Sequence, residues 1–278
     1  MPADLMGSRV RDGWRFCPGS GATRTLAQRV VKLPPVLTLG FPAAAFETNC
    51  FVLATGAGQE CVIVDPGIGV VDQLSDVLRE FRLRPAAVLL THGHLDHVYS
   101  VTPVCRGEAS AAYAAPGSEE LTAYIHRDDR YRLRNPLAGI DAGLRYMLEA
   151  QFGRAATWTE PSEVIELTDG QQVSLAGLDF TVHHAPGHTE GSVMFSLATV
   201  PDQLAGQFAS TLISGDVLFA GSIGRCDLPG GDERAMERSL ATVVLPMPDD
   251  RLVLPGHGDL TTIGQERATN PYLRRLRT

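Results

Sequence analysis

The chain has 278 residues, 44% of them hydrophobic and 20% charged, with a net charge of −8. That composition fits a globular α/β protein with enough chain to bury a core without disulfides, and its acidic balance argues against nonspecific nucleic-acid binding. Lys32 is the only lysine among 24 basic residues, so lysine chemistry is excluded almost everywhere.

Residues 1–35 read as an N-terminal extension. Arg9, Arg11, Arg15, Arg24 and Arg29 stand there among Gly, Ser and Pro with little periodicity, and no apolar leader segment is present. From Val36 the pattern changes. Val36–Leu39, Asn49–Ala54 and Cys61–Asp65 read as strands, the last two joined across Thr55-Gly56-Ala57-Gly58. A helix is expected over residues 70–81, because Val70, Val71, Leu74, Val77, Leu78 and Phe81 share one face. Arg84-Pro85 stops it, the strand Ala87–Leu90 follows, and a second helix runs from near Asp96 to before Gly107. Residues 116–160 read as an excursion from the sheet, helical at 117–126 and 137–152. Arg127, Arg130, Arg132 and Arg134 between those pieces offer charge for an anionic thiol carrier, although a plain solvated face is the better reading. Strand signals resume at Glu163–Leu167, Gln172–Leu175, Leu178–His184, Ser192–Leu197 and Thr211–Asp216. A helix at 232–245, a strand at Arg251–Leu254 and a helix near 261–268 complete the chain. Strands with helices, twice over, predict two similar half-sandwiches.

The five cysteines, Cys17, Cys50, Cys61, Cys105 and Cys226, are odd in number and form no C-x-x-C pair. Neither a disulfide framework nor a zinc knuckle is suggested. No run approaches the roughly 18 apolar residues of a membrane span. The expectation is a cytoplasmic protein with neither membrane nor nucleic acid as partner.

The chemistry concentrates where the Ala87–Leu90 strand ends, in His92-Gly93-His94-Leu95-Asp96-His97. His92 and His94 point the same way from extended chain. Asp96 and His97 then present a second pair to a neighbouring point. Imidazole and carboxylate suit zinc, iron or manganese, and four such groups divide naturally into two halves. Further donors follow strand ends: His188 in Ala185-Pro186-Gly187-His188, Asp216 after Leu212-Ile213-Ser214-Gly215, and His257 in Leu254-Pro255-Gly256-His257. Each alone is an ordinary loop or turn residue. Together with the first motif they make a site. His126, His183 and His184 keep a structural reading, with at most one of the last two turned inward.

The order His-x-His-x-Asp-His, His, Asp, His resembles the metallo-β-lactamase superfamily. The strings Ala185–Ser192, Gly221–Asp232 and Leu254–Gly258, with Thr261–Arg267, bring it closest to short glyoxalase II-like (hydroxyacylglutathione hydrolase-like) thioesterases. The resemblance covers residues 36–278 and implies a four-layer αβ/βα sandwich, an α/β (α+β) fold forming one hydrolase domain. It implies His92, His94 and His188 on one metal ion, Asp96, His97 and His257 on a second, and Asp216 bridging. Zinc is expected first, with iron or manganese as alternatives. Asp96 carries the catalytic expectation; Arg225 and Asp227 match a loop on the substrate side, and Cys226 stands there without a role.

The implied activity is hydrolysis of a small-molecule thioester by metal-activated water. A thioester's leaving thiol has a free pKa of about 8.5 and needs no separate acid. Longer glyoxalase II enzymes bind glutathione partly through lysine on a C-terminal helical domain. Only 21 residues follow His257 here, so another recognition route is expected. The alternatives are a mononuclear iron persulfide dioxygenase, whose relatives usually lack the Pro255–Gly258 string, and a hydrolase of another ester or lactam. A non-enzymatic binding module predicts lost ligands, yet all seven positions are filled.

Overall fold

A computed structural model describes residues 36–110, 120–136 and 159–277, with isolated positions at 143, 146, 147 and 150. The expectations for residues 1–35, and nearly all of the helix at 137–152, lie outside the described residues.

Two six-stranded sheets carry the fold. The first contains β1 (Leu37–Pro42), β2 (Asn49–Ala54), β3 (Glu60–Val64), β4 (Arg84–Leu89), β5 (Thr122–His126) and β6 (Val164–Leu167), in that spatial order. Pairing is antiparallel from β1 to β3 and parallel from β3 to β6. The parallel links need crossovers. Helix α1 (Val71–Phe81) joins β3 to β4, and α2 (Leu95–Val98) and α3 (Val101–Cys105) lie between β4 and β5. Helix α4 (Arg130–Arg134) follows β5. The second sheet runs from β7 (Gln172–Leu175) through β8 (Leu178–His184), β9 (Val193–Leu197), β10 (Ser210–Gly215) and β11 (Arg251–Pro255) to β12 (Thr261–Thr262). Its one parallel pair, β10 with β11, is bridged by α5 (Glu233–Ser239) and a π-helical turn at Leu240–Val244. Helices α6 (Ile263–Thr269) and α7 (Pro271–Arg275) close the described chain.

Side-chain alternation explains the layering. On β2, Cys50, Val52 and Ala54 join the core beneath α1 and α3, whereas Phe51 and Leu53 turn into the space between the sheets. On β9 to β11, Val193, Phe195, Ile213, Leu252 and Leu254 face that same space, and Met194, Leu212 and Val253 pack against α5 to α7. Both sheets are therefore buried on two faces, which is why their central strands read as continuous apolar runs. The result is helix, sheet, sheet, helix, the four-layer α/β sandwich expected from the sequence. Burying a phenylalanine such as Phe180 or Phe195 contributes about 1.5–3 kcal/mol, and these two rings meet edge to face at 6.4 Å between centroids.

Three local expectations are corrected. Residues 122–126 form strand β5, not helix: Ala123 and Ile125 face one core and Tyr124 the other, a period of two that a short apolar run conceals. Helix α1 ends at Phe81 because Arg82 takes a left-handed C-cap conformation, φ 55°, and Arg84-Pro85 opens β4 instead of stopping the helix. The helix expected from Asp96 to Gly107 is broken into α2 and α3. Among the described residues, no helix is long and apolar enough to cross a membrane.

Candidate metal centre

Every expected donor leaves the carboxyl end of a strand. His92 to His97 follow β4, His188 follows β8, Asp216 follows β10 and His257 follows β11. In a doubly layered α/β sandwich these ends share one edge, where loops can converge. Close packing of the loops requires glycine at two points. A Cβ on Gly256 would overlap Asp216 Oδ1, and one on Gly224 would overlap the Asp216 carbonyl.

The structure brings all seven residues together. His92, His94 and His188 place one donor atom each within 4.8 Å of one another, and so do Asp96, His97 and His257. Asp216 lies between the sets. Its Oδ1 is 3.3 Å from His97 Nε2, and its Oδ2 is 3.4 Å from His188 Nε2 and 3.5 Å from His257 Nε2. Asp96 Oδ2 is 3.2 Å from His257 Nε2 and 3.6 Å from His97 Nε2.

Four imidazoles are held from behind so that a bare nitrogen faces this space. The Thr91 hydroxyl donates to Asp65 Oδ2 at 2.6 Å, so its oxygen accepts from His92 Nδ1 at 3.1 Å. His97 Nδ1 donates to Asp65 Oδ2 at 2.9 Å, His188 Nδ1 to the Arg225 carbonyl at 2.7 Å, and His257 Nδ1 to the Phe46 carbonyl at 3.0 Å. Each ring therefore turns its Nε2 inward, the atom that can ligate once it is deprotonated. His94 offers Nδ1 instead, 2.8 Å from His188 Nε2.

These groups suit divalent metal ions. His92 Nε2, His97 Nε2 and Asp216 Oδ1 are buried without a hydrogen-bond partner, an arrangement that costs about 1–3 kcal/mol per group unless a cation satisfies it. Burial pushes His92 down and His94 to about 3, and it lowers His188 as well. That first set is thus neutral near pH 7, the form that ligates. Burial also works against charge on His97 and His257, but the neighbouring carboxylates outweigh it and raise both. For Asp96, burial pushes the carboxyl up, and the pull of His97 and His257 more than reverses it. The second set is therefore a field that attracts a cation.

Arg225 and Asp227 reach the centre differently. Their exposed side chains pair with each other, Arg225 Nε to Asp227 Oδ1 at 2.6 Å and Nη2 to Oδ2 at 2.7 Å. That pairing holds the Asp227 carboxyl down to about 2. The backbone carbonyl of Arg225, not its guanidinium, touches a donor residue. Arg130 pairs with Glu160 and Glu166, and Arg132 binds Glu190 and the Pro229 carbonyl, so neither guanidinium is left over for a substrate anion.

Sequence reasoning passed over Asp65, Thr48 and Asp129. Asp65 binds Thr91 N at 2.8 Å besides the contacts above, and Thr48 donates to Asp96 Oδ2 at 3.0 Å. Asp65 carried a usable signal, since it follows an apolar strand as Asp216 does. A third group, His126, Asp128 and His184, also clusters. Its two rings stack at 4.0 Å and 16°, and His184 Nε2 donates to the Glu190 carbonyl at 2.8 Å. Parallel ring planes do not aim two lone pairs at one point, so these rings support each other rather than a cation.

Comparison with known proteins identifies a family. The model of the metallo-beta-lactamase superfamily matches residues 43–257. An uncharacterized protein of Mycobacterium leprae is 42% identical over 242 residues, 87% of this chain and 100% of the relative. Hydroxyacylglutathione hydrolase GloC of Haemophilus influenzae is 32% identical over 233 residues, covering 84% and 95%. Among solved structures, BLEG-1 B3 metallo-beta-lactamase is 34% identical with a TM-score of 0.67, over 85% of this chain and 99% of that one. TTHA1623 in a di-iron-bound form is 32% identical with a TM-score of 0.62, over 84% and 100%.

Proposed function

The chain belongs to the metallo-beta-lactamase superfamily as a metallo-hydrolase, and we propose that it holds two divalent ions and cleaves a thioester between a small acyl group and a thiol carrier. One observation carries the two-ion reading: two sets of donors, each with a buried unpartnered imidazole nitrogen, share Asp216 between them. His92, His94 and His188 would hold one ion, Asp96, His97 and His257 the other, and Asp216 both. Zinc fits the nitrogen-rich donors; iron is the alternative that the di-iron form of TTHA1623 favours.

Bound there, the ions would supply Lewis acidity, activating water and polarising an acyl carbonyl. The chain's own residues do the rest. Asp65, Thr91, and the Arg225 and Phe46 carbonyls hold the imidazoles in the ligating tautomer. Thr48 fixes the Asp96 carboxylate, which would help hold one ion and would accept a hydrogen bond that orients water there. No further acid stands among the converging residues. A thiolate of free pKa about 8.5 leaves without one, which favours a thioester over an amide. The likeness to GloC supports the same substrate class. The likeness to BLEG-1 supports a second reading, a lactam. The described cysteines, Cys50, Cys61, Cys105 and Cys226, are free, which fits a reducing cytoplasm.

The test is a metal count on purified protein, followed by a panel of thioesters, glutathione persulfide and a lactam. Two ions per chain with thioester turnover are expected. One iron with oxygen consumption on the persulfide would overturn the hydrolase reading, and turnover of the lactam alone would overturn the substrate.

A further inference from the structure

The Asp129 carboxylate is fully buried, at 0% exposure, and none of its partners is a residue named above as a donor to the ions. Its Oδ2 accepts from Gly93 N and from Thr189 Oγ1, both at 2.7 Å, and its Oδ1 accepts from Gly191 N at 2.9 Å. Gly93 sits between His92 and His94. Thr189 follows His188, and Gly191 closes the same turn. One carboxylate, carried on the loop between β5 and α4, thus ties the two loops that supply His92, His94 and His188. Arg132 backs it, with Nε 3.3 Å from Asp129 Oδ1 and Nη2 bonded to Glu190 in the His188 loop. The joint is tight: a Cβ on Gly191 would overlap Asp129, and one on Gly93 would overlap Arg132. The other set is built without Asp129. Asp96 rests on Thr48, His97 on Asp65 and His257 on Phe46.

We propose that Asp129 is a positioning residue for one half of the centre: it sets the spacing of His92 and His94 against His188, and the Asp96, His97 and His257 half does not depend on it. The chemistry is that of a charged acceptor between donors. Three N–H or O–H groups point at two oxygens in a dry pocket, and a carboxylate is the side chain that accepts from all three. In Asp129→Asn, whichever oxygen becomes an amide nitrogen meets an N–H or hydroxyl donor head on, so at least one loop must move. Changing a group that orients metal ligands from behind typically weakens metal binding about ten- to a hundredfold.

The proposal rests on the metal-binding reading of the centre, and the experiment separates the two. Zn²⁺ affinity is measured by chelator competition in two backgrounds, each retaining one donor set. With His257→Ala, which leaves the His92, His94 and His188 set, adding Asp129→Asn is expected to weaken binding about ten- to a hundredfold. With His188→Ala, which leaves the other set, the same change is expected to alter affinity less than about twofold, within the spread for an uncoupled site. A role in general folding would weaken both equally. Thr189→Val, which removes only one of the donors, serves as the milder second variant; it is expected to reproduce the same asymmetry at smaller size, and it decides the matter if Asp129→Asn does not fold. Equal loss in both backgrounds, or no loss in either, refutes the proposal alone. Zn²⁺ uptake by neither background nor the wild type refutes the metal-centre reading and the proposal with it.

Discussion

Asp65→Asn is the perturbation that tests most directly how the centre is held. The carboxylate is buried and accepts three bonds, from Thr91 N at 2.8 Å, Thr91 Oγ1 at 2.6 Å and His97 Nδ1 at 2.9 Å. An amide nitrogen in place of Oδ2 would face His97 Nδ1 and force that ring to accept, moving its proton to Nε2, the atom that faces Asp96 and Asp216. An amide nitrogen in place of Oδ1 would face the Thr91 N–H with no lone pair to offer. Either orientation leaves a buried donor unsatisfied, at about 1–3 kcal/mol. For a chain of this size that lowers the melting temperature of the metal-free protein by about 2–4 °C per kcal/mol. The first orientation also removes His97 as a ligand, and loss of such a supporting group typically weakens metal binding about ten- to a hundredfold. The assays are thermal unfolding of the metal-free protein and chelator competition for Zn²⁺. A variant that melts within about 1 °C of wild type, below the smallest shift reckoned here, and binds two ions as tightly would refute this account of the second set.

Gly256→Ala should abolish uptake of at least one ion while leaving the fold intact by circular dichroism, because its Cβ would overlap Asp216 Oδ1; full occupancy in the variant would contradict the packing. Asp96→Asn should strongly reduce thioester turnover, read as kcat/KM, and activity near wild type would show that its set is dispensable. Burial, and after it the neighbouring His184, push the His126 imidazole down from 6.5 to about 4. Its depressed pKa leaves stability intact above pH 6.5 and loses it as pH falls toward 4, because only the unfolded chain then takes up the proton. The loss is about 3 kcal/mol. In His126→Phe, which keeps a ring against His184, that part of the acid slope should vanish in denaturant titrations at pH 7 and pH 4.5; an unchanged slope would refute it.

The sandwich was legible because its buried strands are long apolar runs that stop at Gly, Pro or Asp. Val62 to Val64 and Leu252 to Leu254 are of this kind, and their burial on two faces follows from helices on one side and the other sheet on the other. Strand β5 was not legible for the opposite reason. Thr122–His126 is five residues long and lies beside a charged segment, and its register depends on pairing with β4 and β6, far away in the chain. The expected donors could be read because several of them share one local motif. Of those that hold them, Asp65 left a signal at its strand end, but Asp129 left none, because it lies 36 residues from Gly93 and 60 from Thr189.

That difference bears on what the centre selects. On the proposed reading the donors would determine where two cations and a water can sit, and they would serve any acyl substrate. Substrate choice would fall to the rim of the centre, where the exposed Phe46 carries its carbonyl to His257 and Arg225, paired with Asp227, carries its own to His188. Phe46 and Glu47 hold positive φ angles of 62° and 55°, a conformation that costs a non-glycine residue about 1 kcal/mol or more. The strained backbone places the Phe46 carbonyl on His257 and leaves its ring exposed. One residue therefore steadies an expected metal ligand through its backbone and offers an exposed ring through its side chain. Phe46→Ala keeps the carbonyl and removes the ring, so it should raise KM for apolar acyl groups while leaving Zn²⁺ affinity unchanged. A loss of Zn²⁺ affinity with KM unaltered would assign the ring to the metal centre and leave the rim without this contact.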